Sequence, residues 1–445
     1  MTDLLIRNAT IINENEQFVG TVLIDKGKIA EVKEGNCKLI SEKSLDATNL
    51  ILIPGVIDEH VHFREPGLTH KADIWHESRA AAAGGVTSYM EMPNTNPQTV
   101  TQQALQDKFN SAAYKSLVNY SFYIGATNDN LDELLKADPK KVCGIKLFIG
   151  ASTGNMLVDQ PESLHGIFSH AHIPLVVHCE DEIIIKNNLE KYRKLYGNAI
   201  PIEYHPLIRN EEACYKSTSL AIELAEKYNT RLHVLHLSTG KELELFKKGG
   251  NLKTKKITSE VCIHHLWFHD GDYMKYGSRI KWNPAIKTER DRVALFGGLL
   301  DNCIDVIATD HAPHTMEEKM QDYIHSPSGG PLIQHSLVAM LEFYKKGEIS
   351  LEKIVEKMCH APAEIFHISK RGFIRKGYWA DLVLIDLNSA WKVNNSNILS
   401  KCGWSPFKDI QFSSKIHTTL VNGAIVYTDK QIIEEKAAMS LEFER

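Results

Sequence analysis

Apolar and polar positions along this chain fall into two textures. Over the first 53 residues, short apolar runs alternate with polar positions: LLIRNATII, FVGTVLID, a KGK turn, IAEVK and NLILIPG. Alternation of this kind, broken by Gly and Asn, predicts a small antiparallel sheet. The C-terminal stretch repeats it in FIRKGYWADLVLIDL and IHTTLVNGAIVYTD, where Asn-Gly is a hairpin signal. The two ends, residues 1–53 and 366–445, are expected to build one small β-sandwich domain.

Residues 54–365 read differently. Apolar runs at 56–63, 86–92, 120–126, 144–149, 175–180, 232–237, 257–262 and 306–309 alternate with helical stretches at 71–83, 101–115, 131–137, 211–228 and 289–302. Eight buried strands alternating with helices predict an α/β fold, a (β/α)8 TIM-type barrel. An open doubly wound sheet is the competing arrangement, and the absence of a GxGxxG turn after the first strand counts against it.

Composition narrows the class. The chain has 445 residues, 43% hydrophobic and 24% charged, with a formal net charge of −5. That is ordinary globular composition, with no basic excess to suggest nucleic acid or an anionic membrane. No apolar run reaches the length of a membrane span, and the N-terminus lacks the apolar core of a secretion signal. The eight cysteines are scattered without a CxxC pair, so a reduced, cytoplasmic protein is expected.

Function in such a barrel belongs at the C-terminal ends of the strands. The first ends in Asp58-Glu59-His60-Val61-His62-Phe63-Arg64. His60 and His62 are two apart, so they share a strand face and can grip one ion. Lys146 lies inside an apolar strand, where a charge is costly. It either snorkels or pairs, or it is a neutral amine able to add carbon dioxide as a carbamate. His178 and His236 end the fifth and sixth strands, and Asp310 ends the eighth. His233 falls on the other face from His236, and packing is its default. Four histidines, one lysine and one aspartate thus converge on one rim, as for a binuclear metal site.

These residues resemble the amidohydrolase superfamily. HVHFREPG, AAAAGGVTSYMEMPNTNP, HVLHLST and ATDHAPH are similar, more narrowly, to the dihydroorotases, and the resemblance runs over nearly the whole chain. It implies reversible cyclisation of N-carbamoyl-L-aspartate to L-dihydroorotate in pyrimidine biosynthesis. It also implies two Zn²⁺ per subunit: His60, His62 and Asp310 would hold one, and His178 and His236 the other. Carbamylated Lys146 and a hydroxide would bridge them, with Asp310 as general acid and base. Arg64, Asn94 and His314 would contact substrate, and Asn283 is a weaker candidate, because Asn-Pro-Ala departs from the family's commoner double-proline version.

Two of these have a plainer alternative. Arg64 could pair with Glu65, and Asn94 could serve the turn around Pro93 and Asn96. Ser152 or Thr153 would act in a loop covering substrate, or belong to a Gly-rich turn. His264 stays outside the metal set, structural or supporting the ligands. Competing functions are allantoinase, hydantoinase, dihydropyrimidinase, or a non-catalytic scaffold for aspartate transcarbamoylase. A homodimer is the default assembly. Zinc suits the ligands, though cobalt or manganese would also bind.

Overall fold

The computed structural model describes residues 3–35, 39–150 and 156–445. Eight strands form the central sheet: β6 (Val56–Val61), β7 (Val86–Glu91), β8 (Asn119–Gly125), β9 (Gly144–Ile149), β10 (Leu175–Cys179), β11 (Leu232–Val234), β12 (Ile257–Cys262) and β13 (Val306–Ala308). They lie side by side in sequence order, each parallel to the next. The ends meet where the His62 amide donates to the His311 carbonyl at 2.7 Å and Val61 bridges His311 in parallel. The barrel expected from the alternation is therefore present. Nearly every residue of its strands is buried, as parallel strands covered by helices must be.

Local chemistry sets the helix boundaries. Asp73 caps the helix Ile74–Ala83 by accepting from the His76 amide. The helix thus begins three residues later than apolar spacing suggested, and Lys71 stays in the preceding turn. Asn210 caps Glu211–Tyr228, and Asn229 ends it in the left-handed region at φ 53°. The stretch 131–137 keeps only one helical turn, Leu131–Leu134, because Pro139 disfavours helical geometry at Asp138.

The strand β6 contains a bulge. Asp58 pairs with Tyr89 and Val61 with Glu91, so three steps on β6 match two on β7. The extra residue breaks strict alternation, and both Glu59 and His60 are buried at 1% exposure or less.

The chain ends share a second sheet of nine strands. The N-terminal members are β1 (Leu4–Asn13), β2 (Glu16–Asp25), β3 (Lys28–Glu34), β4 (Ser44–Asp46) and β5 (Ile51–Pro54). Next come β14 (Leu382–Asp386), the short ribbon of β15 (Trp391–Lys392) and β16 (Gln411–Phe412), then β17 (Lys415–Val421), β18 (Ala424–Thr428) and β19 (Gln431–Ile432). Excluding the ribbon, the order is β19-β18-β17-β14-β5-β1-β2-β3, with β4 on β1. The seam joining the termini is β5 against β14, Ile53 opposite Val383. Gly55 turns the chain from this sheet into the barrel, and a Cβ there would meet Thr87 Oγ1 at 2.0 Å. Among the described residues no helix is long and apolar enough to cross a membrane.

Candidate active site

The strand ends open into a cavity of about 260 Å³. His60, His62, Lys146, His178, His236 and Asp310 all line it, together with Arg64, Asn94, Asn283 and His314. Side chains spread over 250 positions of sequence meet because each follows, or sits inside, a strand of one barrel.

His60 and His62 turn their Nε2 atoms to Asp310 Oδ1, at 3.2 and 3.1 Å. Their other nitrogens are held from behind. His60 Nδ1 lies 2.9 Å from Glu260 Oε1, and His62 Nδ1 lies 2.7 Å from Asn94 Oδ1. An Asn Oδ1 and a carboxylate only accept, so each Nδ1 donates to the group behind it; in a neutral ring this would leave Nε2 as the lone pair facing Asp310. Asn94 thus holds the His62 ring while also lining the cavity, where sequence suggested substrate contact or turn chemistry.

The second pair is His178 and His236, with His178 Nδ1 3.0 Å from His236 Nε2. Glu180 accepts from His178 Nε2 at 3.0 Å and also pairs with Arg209. Burial lowers both histidines below their ordinary value, with repulsion from neighbouring histidine adding for His236. Burial likewise brings Lys146 down to about 8 from 10.5, and its Nζ sits 4.6 Å over the Phe148 ring. Asp310 moves the other way. Burial opposes its charge, but His60 and His62 outweigh that and hold the carboxyl below its usual range.

This donor set fits divalent metal. Neutral imidazoles, an ionised carboxylate and a lysine that gives up its proton readily are the protonation states a metal requires. His60, His62 and Asp310 place one ligand atom each within 4.8 Å of one another. The buried Nδ1 of His236 has no hydrogen-bond partner. Arg64 (φ 67°), His236 (φ 41°) and Asp310 (φ 47°) occupy the left-handed region. It costs a non-glycine residue about 1–2 kcal/mol, a strain that sites of this kind often carry.

Beyond the ligands the cavity turns cationic. Arg64 is 7% exposed. Its Nε donates to the Pro313 carbonyl, and Nη2 lies 3.0 Å from His314 Nε2. Burial lowers it to about 10, so it is charged at neutral pH. Lys71 Nζ approaches His314 Nδ1 at 3.1 Å and Glu318 at 3.0 Å. Glu65 pairs with Lys115 instead, which removes the Arg64–Glu65 alternative. Asn283 Oδ1 accepts from Ser328 Oγ at 2.9 Å.

Residues 51–426 match the amidohydrolase family. The chain belongs to the amidohydrolase family. Relatives of this amidohydrolase named dihydroorotase include one from Methanosphaera stadtmanae, 31% identical over 97% of this chain and 98% of the relative. Another, from Halobacterium salinarum, is 33% identical over 80% and 82%. Among solved structures, an L-hydantoinase (dihydropyrimidinase) from Arthrobacter aurescens superposes with a TM-score of 0.93 at 26% identity, covering 99% and 100%. A dihydropyrimidinase from Brevibacillus agri NCHU1002 has a TM-score of 0.89 at 23% identity over the whole of both chains, a likeness of fold.

Several wall residues of this amidohydrolase were missed in the sequence. Arg209 and Lys71 sit in loops with no periodic pattern to mark them, and Glu180 and Glu260, behind the wall, were missed because their partners His178 and His60 are set by the fold. His264 stacks on Trp282 at 4.4 Å and 17°, outside the ligand cluster. His233 is buried as expected. Ser152 and Thr153 lie outside the described residues.

Proposed function

We propose that this amidohydrolase is a dihydroorotase, interconverting N-carbamoyl-L-aspartate and L-dihydroorotate within pyrimidine biosynthesis. The observation that carries the reading is one small cavity with a metal-ready ligand cluster at one end and Arg64 with His314 at the other. The substrate ring has the same two ends, a cyclic amide and a carboxylate. Relatives named dihydroorotase over nearly the full chain support it.

His60, His62 and Asp310 would hold one divalent ion, His178 and His236 a second, with Lys146 between them as a carbamate. Zinc suits this set. Two such ions polarise a carbonyl and acidify water toward neutrality. The chain's own groups do the rest. Arg64 offers its guanidinium to the ring carboxylate, a charge-assisted contact with orientational preference. His314 and Asn283 line the same end. Asp310 takes a proton from the attacking water and returns it to the amide nitrogen as the C–N bond breaks. In the cyclising direction these transfers reverse.

Hydantoinase or dihydropyrimidinase is the second reading, favoured by the structural neighbours. Their uncharged rings would leave the Arg64 charge buried without an anion. Turnover of L-dihydroorotate against hydantoin and dihydrouracil by metal-loaded protein separates the two. Opening of dihydroorotate is expected to dominate, and preference for the uncharged rings would reverse the assignment. The same reading places the protein in the cytoplasm as a homodimer, with aspartate transcarbamoylase as a candidate associate. The buried free thiols suit a reducing compartment.

A further inference from the structure

Beneath the ligand cluster, inside the barrel, Glu59, His233 and Glu260 converge. Each is at most 1% exposed. Both Glu59 carboxylate oxygens, Glu260 Oε2 and His233 Nε2 are buried with no hydrogen-bond partner. One ligand atom from each residue lies within 4.8 Å of the other two.

The hydrogen bonds around the cluster fix its character. Thr258 Oγ1 spends its proton on the Leu232 carbonyl, so at 2.8 Å it must accept from His233 Nδ1. His233 Nε2 is then an unprotonated lone pair. That lone pair lies 3.9 Å from Glu59 Oε1 and 3.9 Å from Glu260 Oε2. Three electron-pair donors thus face one another, and no neighbouring side chain supplies an N–H or O–H to the facing atoms.

A proton on one carboxyl does not close gaps of this size, because an O–H donor reaches only about 2.5–3.0 Å. Two metal–ligand bonds of about 2.0–2.2 Å do span 3.9 Å at a wide angle. Two carboxylates and one neutral imidazole also neutralise a doubly charged ion, which removes the cost of buried unpaired charge.

The geometry points to a third divalent-cation site, held by Glu59, His233 and Glu260 and taking an ion of the zinc, cobalt or manganese class. The site is sealed. The Phe366 ring stands edge-on to His233 at 5.5 Å, and the Tyr123 hydroxyl closes on the Glu59 carbonyl at 2.9 Å. Its ion is therefore structural and never meets substrate. It reaches the upper cluster through Glu260, whose Oε1 accepts from His60 Nδ1 and from the His236 amide at 3.0 Å. Clamping Oε2 fixes Oε1, and Oε1 orients His60. The bulge in β6 is what turns Glu59 into this space.

Anomalous diffraction at the zinc edge from zinc-saturated full-length protein tests the site, with elemental analysis of the same sample. Three peaks per chain are expected, the lowest between Glu59, His233 and Glu260. Glu59→Gln and His233→Asn should each remove that peak and lower zinc from about three to about two per chain, with the upper pair retained. A wild-type map with water or nothing at the lower position overturns the proposal, whether or not the upper peaks are present. So does a lower peak that survives both substitutions at full height. Loss of the upper peaks alone counts against the binuclear reading and leaves this site standing. The wild-type map decides the question even if a variant fails to fold.

Discussion

Arg64 Nη2 and His314 Nε2 lie 3.0 Å apart, although 250 residues separate them in sequence. The same Nε2 lies 3.0 Å from the Ser328 carbonyl, and Nδ1 lies 3.1 Å from Lys71 Nζ, so the ring is held from both sides. Burial and the adjacent Arg64 charge keep His314 neutral, well below its ordinary value. The pair forms a fixed cationic edge on the cavity that holds the candidate metal ligands.

Removing that edge tests substrate choice. Arg64→Gln should lower kcat/KM for L-dihydroorotate by about 10- to 100-fold, the worth of one charge-assisted hydrogen bond. Most of the loss should appear in KM, with residual turnover of hydantoin unchanged. Equal losses on charged and uncharged rings would mean that Arg64 is structural.

Asp310→Asn keeps the shape and removes the base. Turnover is expected to fall by about 10²- to 10⁴-fold or more, since the residue serves both the metal and the proton. Steady-state kinetics with metal content measured on the same sample would check this; near-normal turnover would move the base elsewhere.

Lys146→Met should leave the fold intact and lose one of the two upper ions. Native mass spectrometry of the wild type should show the mass increment of one carbamate, absent in the variant. Two tightly held upper ions in the variant would show that no lysine bridge is needed.

Asn94 separates orientation from substrate contact. If its main service is the 2.7 Å contact to His62, Asn94→Ala should weaken metal retention by about 10- to 100-fold. Chelator titration followed by residual activity reads this directly. Unchanged metal affinity with a raised KM would return Asn94 to the substrate.

Stability should fall in mild acid. Burial, with repulsion from His311, depresses His335 to about 3 from 6.5, and its ring stacks on Trp391 and Phe412. Above pH 6.5 neither folded nor unfolded chain binds this proton. Below it the unfolded chain does and the folded chain does not, until about pH 3. This one group therefore costs about 1.4 kcal/mol per pH unit in that window. The urea midpoint between pH 6 and 4 should vary less steeply in His335→Phe than in the wild type, and equal slopes would refute it.

The sequence alone determined the barrel and its rim. Parallel buried strands must be apolar throughout, so the eight runs stood out, and Gly144–Ile149 and Ile257–Cys262 begin and end where the runs do. Function in a barrel sits where the strands end, which made His60, His62, His178, His236 and Asp310 legible as candidates from their types and places. Hairpin chemistry marked the two termini, though pairing is not written in either: only packing set Ile53 against Val383.

Tertiary structure decided the rest, because it depends on contacts between residues far apart in the chain. Strict pleating would put Glu59 and His60 on opposite faces of β6, and the bulge against β7 breaks that alternation. That the Asn94 oxygen meets His62 could not be read from the chain. Arg209 and Lys71 have no periodicity to announce them, since loops take their positions from the scaffold they cross. A side chain's type is fixed by sequence, but its partner is fixed by closure of the barrel.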